Sequence, residues 1–399
     1  MENTQLNTTF DVIVIGAGIM GSCSAYQAAK NGKKVLLVEQ FSLYNNYGSS
    51  HGASRIIRLC HTDNIYINMA KKSYELWDEM MTLDGSHEKL YTSCGLLWLG
   101  DKNDTYKRGK LLESINAEYE ILSGIDIKKR YKHLHYDNDE WYGILDKKGG
   151  VIYAEKCLKA AIRLIKKFNG QIKENCKIVE IIPGNIIRLI TKDREILECK
   201  NLIVTVGGWL NNLLPEIKIK VSPTLVSVNF WKIKKEYEHL FEKYFLPENN
   251  SPTTIISREN EHLFMIPGSD FKNMVKIGVH CGEKFDINSP YSDRQIPSWM
   301  ADEASKHITK HIPFIDSTKP EKIVSCVYQM TDDVNFILDK HPIHKNIVIG
   351  SGFSGTGFKF GSVVGEILNQ LIDGKEIKCC DMENFSIKRV ISPGTKCIL

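Results

Sequence analysis

The chain has 399 residues, 42% of them hydrophobic and 25% charged, with a net charge of +4. At roughly 150 residues per domain this suggests two or three domains around a large core, with the composition of an ordinary soluble protein. The small, interspersed charge argues against a nucleic-acid partner. Eleven cysteines without a CxxC pair point to a reducing, intracellular compartment. No basic–apolar leader and no apolar run of about 18 residues is present, so neither a signal peptide nor a membrane span is expected.

The segment FDVIVIGAGIMGSCSAYQAAKNGKKVLLVEQ (10–40) carries the strongest local signal. Val12 to Ile15 is a continuous apolar run, the pattern of a parallel strand covered on both faces. It meets Gly16, Gly18 and Gly21 in GxGxxG spacing, then a helix to about Lys30, then a second strand ending at Glu39. Gly16 permits the tight turn, Gly18 lets backbone approach a pyrophosphate, and Gly21 lets helix and strand pack closely. The helix N-terminus offers free N–H groups to phosphates, and Glu39 can accept from a ribose hydroxyl. The order of elements specifies an adenine dinucleotide. It does not separate NAD from FAD, and Glu39 argues only against NADP. In GSSHGASRIIRLC (48–60), Arg55 and Arg58 bracket a β-branched pair. They are either solvated arginines on a loop or a guanidinium site for a substrate carboxylate.

Residues 62–130 read as mostly helical, with one apolar strand at 94–100. Residues 147–170 read as a turn, a short strand and an amphipathic helix with Ala160, Leu164 and Phe168 on one face. Strands follow at 171–182, 185–191 and 200–210, and the run 234–245 looks like a solvated helix face. From about Val221 to Val279 the pattern becomes β-rich, which predicts a second, mostly antiparallel sheet. Strand alternation puts Lys276, Gly278 and His280 on one face, either as a polar surface row or as room for a flat ligand.

In IVSCVYQMTDDVNFILDKHP (323–342), Cys326 and Tyr328 share a strand face. Taken alone, this cysteine reads as a small core side chain. The segment 346–376 repeats the opening logic of buried strand, glycine-rich turn and helix, with Lys359 at the turn. Two such units at opposite ends of a chain predict a doubly wound domain interrupted by an insertion.

The chain resembles the monomeric sarcosine oxidase family of flavin amine oxidases, most of all its peroxisomal sarcosine/L-pipecolate oxidase branch. The likeness covers roughly residues 8–390 and rests on DVIVIGAGIMG, GSSHGASRIIR, GGVIYAEKCLKA, VKIGVHCG, SCVYQMTDDVNFILDKHP and GFSGTGFKF, in the family's order. It implies an α/β plus β fold: a Rossmann-like FAD-binding domain of the glutathione-reductase type, D-amino-acid-oxidase-like, and a substrate domain. The expected FAD-binding parts are 8–90, 148–220 and 325–390, with 91–147 and 221–324 as the substrate domain. It further implies FAD held covalently by a thioether from Cys326 to the flavin 8α carbon, with Ser50, Arg55, Gly355 and Lys359 also against the cofactor. Arg58 and Lys359 would bind the substrate carboxylate, with Tyr328 flanking. Lys276 would activate oxygen, with Arg55 and His280 nearby.

The reaction implied is oxidation of a secondary amino acid (sarcosine or L-pipecolate, with L-proline a further candidate) to an imine, with O2 reduced to H2O2. A cation beside the site of oxygen reduction would lower the barrier to superoxide, which is the task expected of Lys276. The alternatives are a flavin-dependent dehydrogenase serving an electron carrier and a non-catalytic flavin-binding protein. No metal is expected. The partners expected are the amino acid and O2, with no nucleic acid and no membrane, for a monomer in the peroxisome or the cytoplasm. Two positions depart from the family: Phe264 stands where tyrosine is usual and Thr356 where histidine is usual. The ending KCIL also departs from the small–basic–leucine tripeptide of peroxisomal relatives, since Ile398 takes the basic place.

Overall fold

In the computed structural model, residues 9–138, 140–258 and 261–391 are described. The C-terminal KCIL, on which the organelle expectation turns, and the first eight residues lie outside this range. The strand Phe10–Ile15 sits between Val35–Val38 and Ile196–Val204 and runs parallel to both. Ile347–Ser351, from the far end of the chain, joins the same sheet parallel to Ile196–Val204. Alternate residues of these strands feed two cores. Val12, Val14, Leu37 and Ile203 pack against the helices Ile19–Lys30, Ala154–Lys167 and Gly361–Asp373. Ile13, Ile15, Leu36 and Val204 pack on the opposite side, with Leu189 and Leu214. Burial on both faces is why the first strand reads as an unbroken apolar run, each side chain contributing about 1.5–3 kcal/mol.

A second, nine-stranded sheet carries the strands Val221–Lys232, Thr253–Arg258, Glu261–Ile266 and Met274–Val279. Its pairings are antiparallel except for Thr253–Arg258 against Leu96–Gly100, which is parallel. A small third sheet pairs Ser54–Ile57 and Tyr91–Thr92 with Gly150–Tyr153. No helix among the described residues is long and apolar enough to cross a membrane.

Three sequence expectations are corrected. The stretch 62–130 holds the strands Tyr91–Thr92 and Tyr119–Ser123 besides the one expected. Tyr119–Ser123 is half-buried along its whole length, so it lacks the alternation that marks a strand. The run 234–245 forms the short helical turns Lys235–Leu240 and Phe241–Phe245, and Phe241 and Phe245 are core residues rather than a solvated face. The single strand expected over 171–182 is two: Gln171–Lys173 runs parallel to Val35–Val38, whereas Ile178–Ile182 pairs antiparallel with Ile187–Thr191. The strand Lys322–Thr331, which contains position 325, pairs along its length with Val221–Lys232 in the larger sheet.

Candidate active site

The first glycine turn is a backbone cradle. Gly16 has φ +98°, and a Cβ there would stand 2.6 Å from the Thr205 carbonyl oxygen. A Cβ on Gly21 would come within 1.8 Å of the Gly16 oxygen, so helix and strand touch through bare backbone. At the helix start Ser50 Oγ accepts from the Ile19 N–H at 3.0 Å and faces Gly18. The Glu39 carboxylate accepts from the Ala17 N–H at 2.8 Å and the Phe41 N–H at 3.0 Å. Burial pushes this carboxyl up from its usual range, against the pull of those N–H groups.

From this cradle a cavity of about 470 Å³ runs inward. Gly16, Gly18, Glu39 and Ser50 line one part of it, and Arg55, Cys326, Tyr328 and Gly355 also form its wall. Cys326 therefore faces the same space as the first glycine turn, rather than an apolar core. Its Sγ lies 3.9 Å from the Ser49 carbonyl oxygen. Tyr328 shares its strand face, and the Tyr328 hydroxyl lies 3.2 Å from His280 Nδ1. Gly355, at φ +74°, fits against both rings: a Cβ there would be 2.5 Å from Tyr328 Cε2 and 2.8 Å from His280 Cε1. His280 is exposed, yet it sits deep among protein atoms, and desolvation lowers its imidazole to about 4.

The two arginines separate. Arg55, half-buried, donates to the carbonyl oxygens of Ser54 at 2.7 Å, Ser49 at 3.1 Å and His51 at 2.5 Å, and so shapes the loop it leaves. Arg58 is only 7% exposed, and its Nη1 donates to the Cys60 carbonyl. Lys359 is 4% exposed, with Nζ donating to the Thr356 carbonyl at 2.6 Å. Among the described residues, neither cation has a carboxylate within 4.0 Å. Desolvation lowers Arg58 to about 10. Desolvation and then the charge of Arg58 hold Lys359 well below the ordinary lysine value. Both lie off the wall of the main cavity. Lys359 follows Phe358, which lines it, and the charges of both cations reach His280. Burying a cation without a counterion is costly, and that cost is what lowers both groups.

Lys276 is buried, not part of a solvent-facing row. Its Nζ lies 2.7 Å from Ser54 Oγ, 3.1 Å from the Ser54 carbonyl and 3.1 Å from Asp270 Oδ2. Desolvation lowers this lysine to about 8, against the opposing pull of Asp270. Phe264 packs over Gly278 between Lys276 and His280 on that strand. Thr356 meets Lys359 through its backbone carbonyl, a contact that any side chain at 356 allows.

Sequence reasoning missed several supporting residues. Trp98 lies beside two guanidiniums, Arg58 at 4.7 Å and Arg108 at 3.8 Å from its ring centre. Asp146, buried, accepts from the Leu59 and Cys60 N–H groups at 2.7 and 2.8 Å and so fixes the chain just after Arg58. Gln329 donates to the Gly207 carbonyl and accepts from the Gly352 N–H at 3.1 Å, tying the Cys326 strand to two glycine turns. Asp270 sits in PGSDFKN, which reads as an ordinary turn. The one available signal was a polar residue inside an apolar strand, and it applies to Gln329 alone.

Residues 11–371 match the model of the family described as FAD dependent oxidoreductase. Human peroxisomal sarcosine oxidase is 34% identical over 399 residues, covering 96% of this chain and 97% of the relative. Monomeric sarcosine oxidase of Bacillus sp. (strain NS-129) is 30% identical, covering 96% and 98%. Among solved structures, glycine oxidase from Geobacillus kaustophilus aligns with a TM-score of 0.78 at 16% identity, covering 96% of this chain and all of the other, a likeness of fold.

Proposed function

The chain belongs to the FAD dependent oxidoreductase family, and from that premise we propose that it is an oxidase of secondary amino acids, turning the amine into an imine while O2 becomes H2O2. The residues fit the cofactor: the cradle at Gly16 and Gly21 has no room for a Cβ, and Glu39 and Ser50 line the cavity that continues to Cys326. When bound, FAD takes the electron pair from the amine and passes it to oxygen.

The observation that carries the substrate reading is the buried pair Arg58 and Lys359, without a carboxylate partner among the described residues. A substrate carboxylate placed there supplies the missing counterion and fixes one end of the molecule. Tyr328 and His280 border the neighbouring space and orient the amine end. His280, lowered to about 4, is neutral at physiological pH and adds no charge that would repel a protonated amine. Sarcosine would yield glycine and formaldehyde after hydrolysis, and L-pipecolate a cyclic imine. Lys276 is the cation assigned to the oxygen half of the reaction, with Arg55 beside it. Cys326 is assigned as the covalent anchor, supported by its place on the cavity wall. A monomer is the assembly this reading adopts, in line with the name of the Bacillus relative, and the name of the human relative supports a peroxisomal location.

The test is a substrate panel of sarcosine, L-pipecolate and L-proline with O2 and H2O2 followed together. One H2O2 per substrate consumed is expected. Substrate loss without peroxide would overturn the oxidase reading. Acid precipitation addresses the anchor: flavin should pellet with the wild type and stay in solution with Cys326→Ala.

A further inference from the structure

Lys276 does not stand alone. Its ammonium faces the Ser54 carbonyl, the Ser54 hydroxyl and an Asp270 carboxylate oxygen. The Ser54 hydroxyl in turn donates to that same Asp270 oxygen, at 2.5 Å. Lys276 and Asp270 side chains are 4% and 5% exposed, so the pair is shielded from bulk solvent. The proton inventory of this group is decisive. A neutral lysine amine has a lone pair that needs a donor, whereas an ammonium has three donors and no acceptor. Here three acceptors face Nζ, and the one hydroxyl proton is already committed to Asp270. The arrangement suits the charged form.

The other groups around Nζ do not supply that preference. Arg55, on the strand Ser54–Ile57, opposes a second positive charge, and the charge of Lys276 is likewise felt at His51 in the preceding loop. Cys326 faces it from the strand Lys322–Thr331, and as the thioether of the proposed anchor it carries no charge. The Phe230 ring lies 5.3 Å from Nζ and adds only a weak cation–π attraction. Asp270 is the carboxylate in an ion pair with Lys276.

We infer that Asp270, bridged through Ser54, is the positioning residue that keeps Lys276 an ammonium in this buried site and so sustains its action on oxygen. The inference rests on the reading of Lys276 as the oxygen-side cation. Negative charge develops on O2 as it is reduced, and only a charged Lys276 can stabilise it. Without Asp270, burial alone would favour the neutral amine.

The experiment is carbon-13 NMR of the holoenzyme labelled at lysine Cε, with the Lys276 signal assigned by its loss in Lys276→Met. In Asp270→Asn the Lys276 titration is expected to move down by about one pH unit or more, the scale of losing a close opposite charge. Asp270→Glu should hold it within about half a unit, and Ser54→Ala should lower it by less than Asp270→Asn does. Stopped-flow reoxidation by O2, divided by each variant's anaerobic rate of reduction by sarcosine, should fall roughly five- to ten-fold in Asp270→Asn at pH 8.5. An unchanged or raised Lys276 titration in Asp270→Asn overturns the inference. If Asp270→Asn does not fold, an unchanged titration in Ser54→Ala does so instead. Reoxidation that survives Lys276→Met unchanged would overturn the oxygen role of Lys276, separately from the pairing.

Discussion

The two glycine turns at opposite ends of the chain look alike in sequence and differ in what their glycines meet. At the first, Gly16 and Gly21 press against backbone atoms of neighbouring elements, the Thr205 and Gly16 oxygens. At the second, Gly355 presses against side chains, Tyr328 and His280, and a buried lysine follows four residues later. The first turn is thus a rigid backbone frame, the part that the proposed reading gives to the cofactor. The second is fitted to particular side chains and carries the buried charge that the proposed reading gives to the substrate carboxylate. A backbone clash has no rotamer to relieve it, whereas an aromatic ring can turn away.

That contrast can be broken by experiment. The largest effect is expected of Gly21→Ala. A Cβ 1.8 Å from a backbone oxygen forces helix and strand apart, at a cost of about 1–3 kcal/mol or more. Flavin content of the purified protein should drop to near zero and its Tm should fall. Next comes Arg58→Met. Losing one charge-assisted pairing to the substrate carboxylate, about 1.5–3 kcal/mol, should reduce kcat/KM for sarcosine roughly 10- to 100-fold while flavin content stays normal. Gly355→Ala should act between those two kinds of residue. The strain of a positive φ and the displaced rings should cost about 1 kcal/mol of stability and reduce turnover several-fold, with flavin retained. Loss of flavin from Gly355→Ala but not from Gly21→Ala would invert the comparison.

The smallest effect is a pH dependence. Lys359 is lowered by burial and by the charge of Arg58, and a bound carboxylate opposes both. A carboxylate ligand therefore binds the protonated lysine better and raises its pKa on binding. Affinity for a simple inhibitor such as acetate should be highest at low pH, once the ligand is ionised. It should weaken as pH rises through a value below the ordinary lysine range. In Lys359→Met this limb of the binding curve should disappear, which inhibition constants measured across pH would show.

The legibility of the molecule follows from distance along the chain. The sequence GAGIMG announced its strand, turn and helix because all three are local and set by backbone geometry. The antiparallel sheet of 221–279 was visible through alternation, though Thr253–Arg258 runs parallel to Leu96–Gly100, a pairing that no turn signal marks. Tyr119–Ser123 was missed since both of its faces are half-buried. Cys326 was ambiguous for a different reason: a buried thiol on a core wall and one on a cavity wall have the same flanking residues.

From its own residues the sequence determined a dinucleotide cradle, a second glycine unit and a separate β-rich region, and family motifs gave them a chemistry. Tertiary structure alone decided which charges are buried and which are paired. Arg58 and Lys359 are 301 positions apart, and Ser54 and Asp270 are 216 apart. Whether such residues meet water, each other or a carboxylate depends on how two sheets close around them. Desolvation and proton inventory are properties of that closed space, and neither is written in any local run of residues.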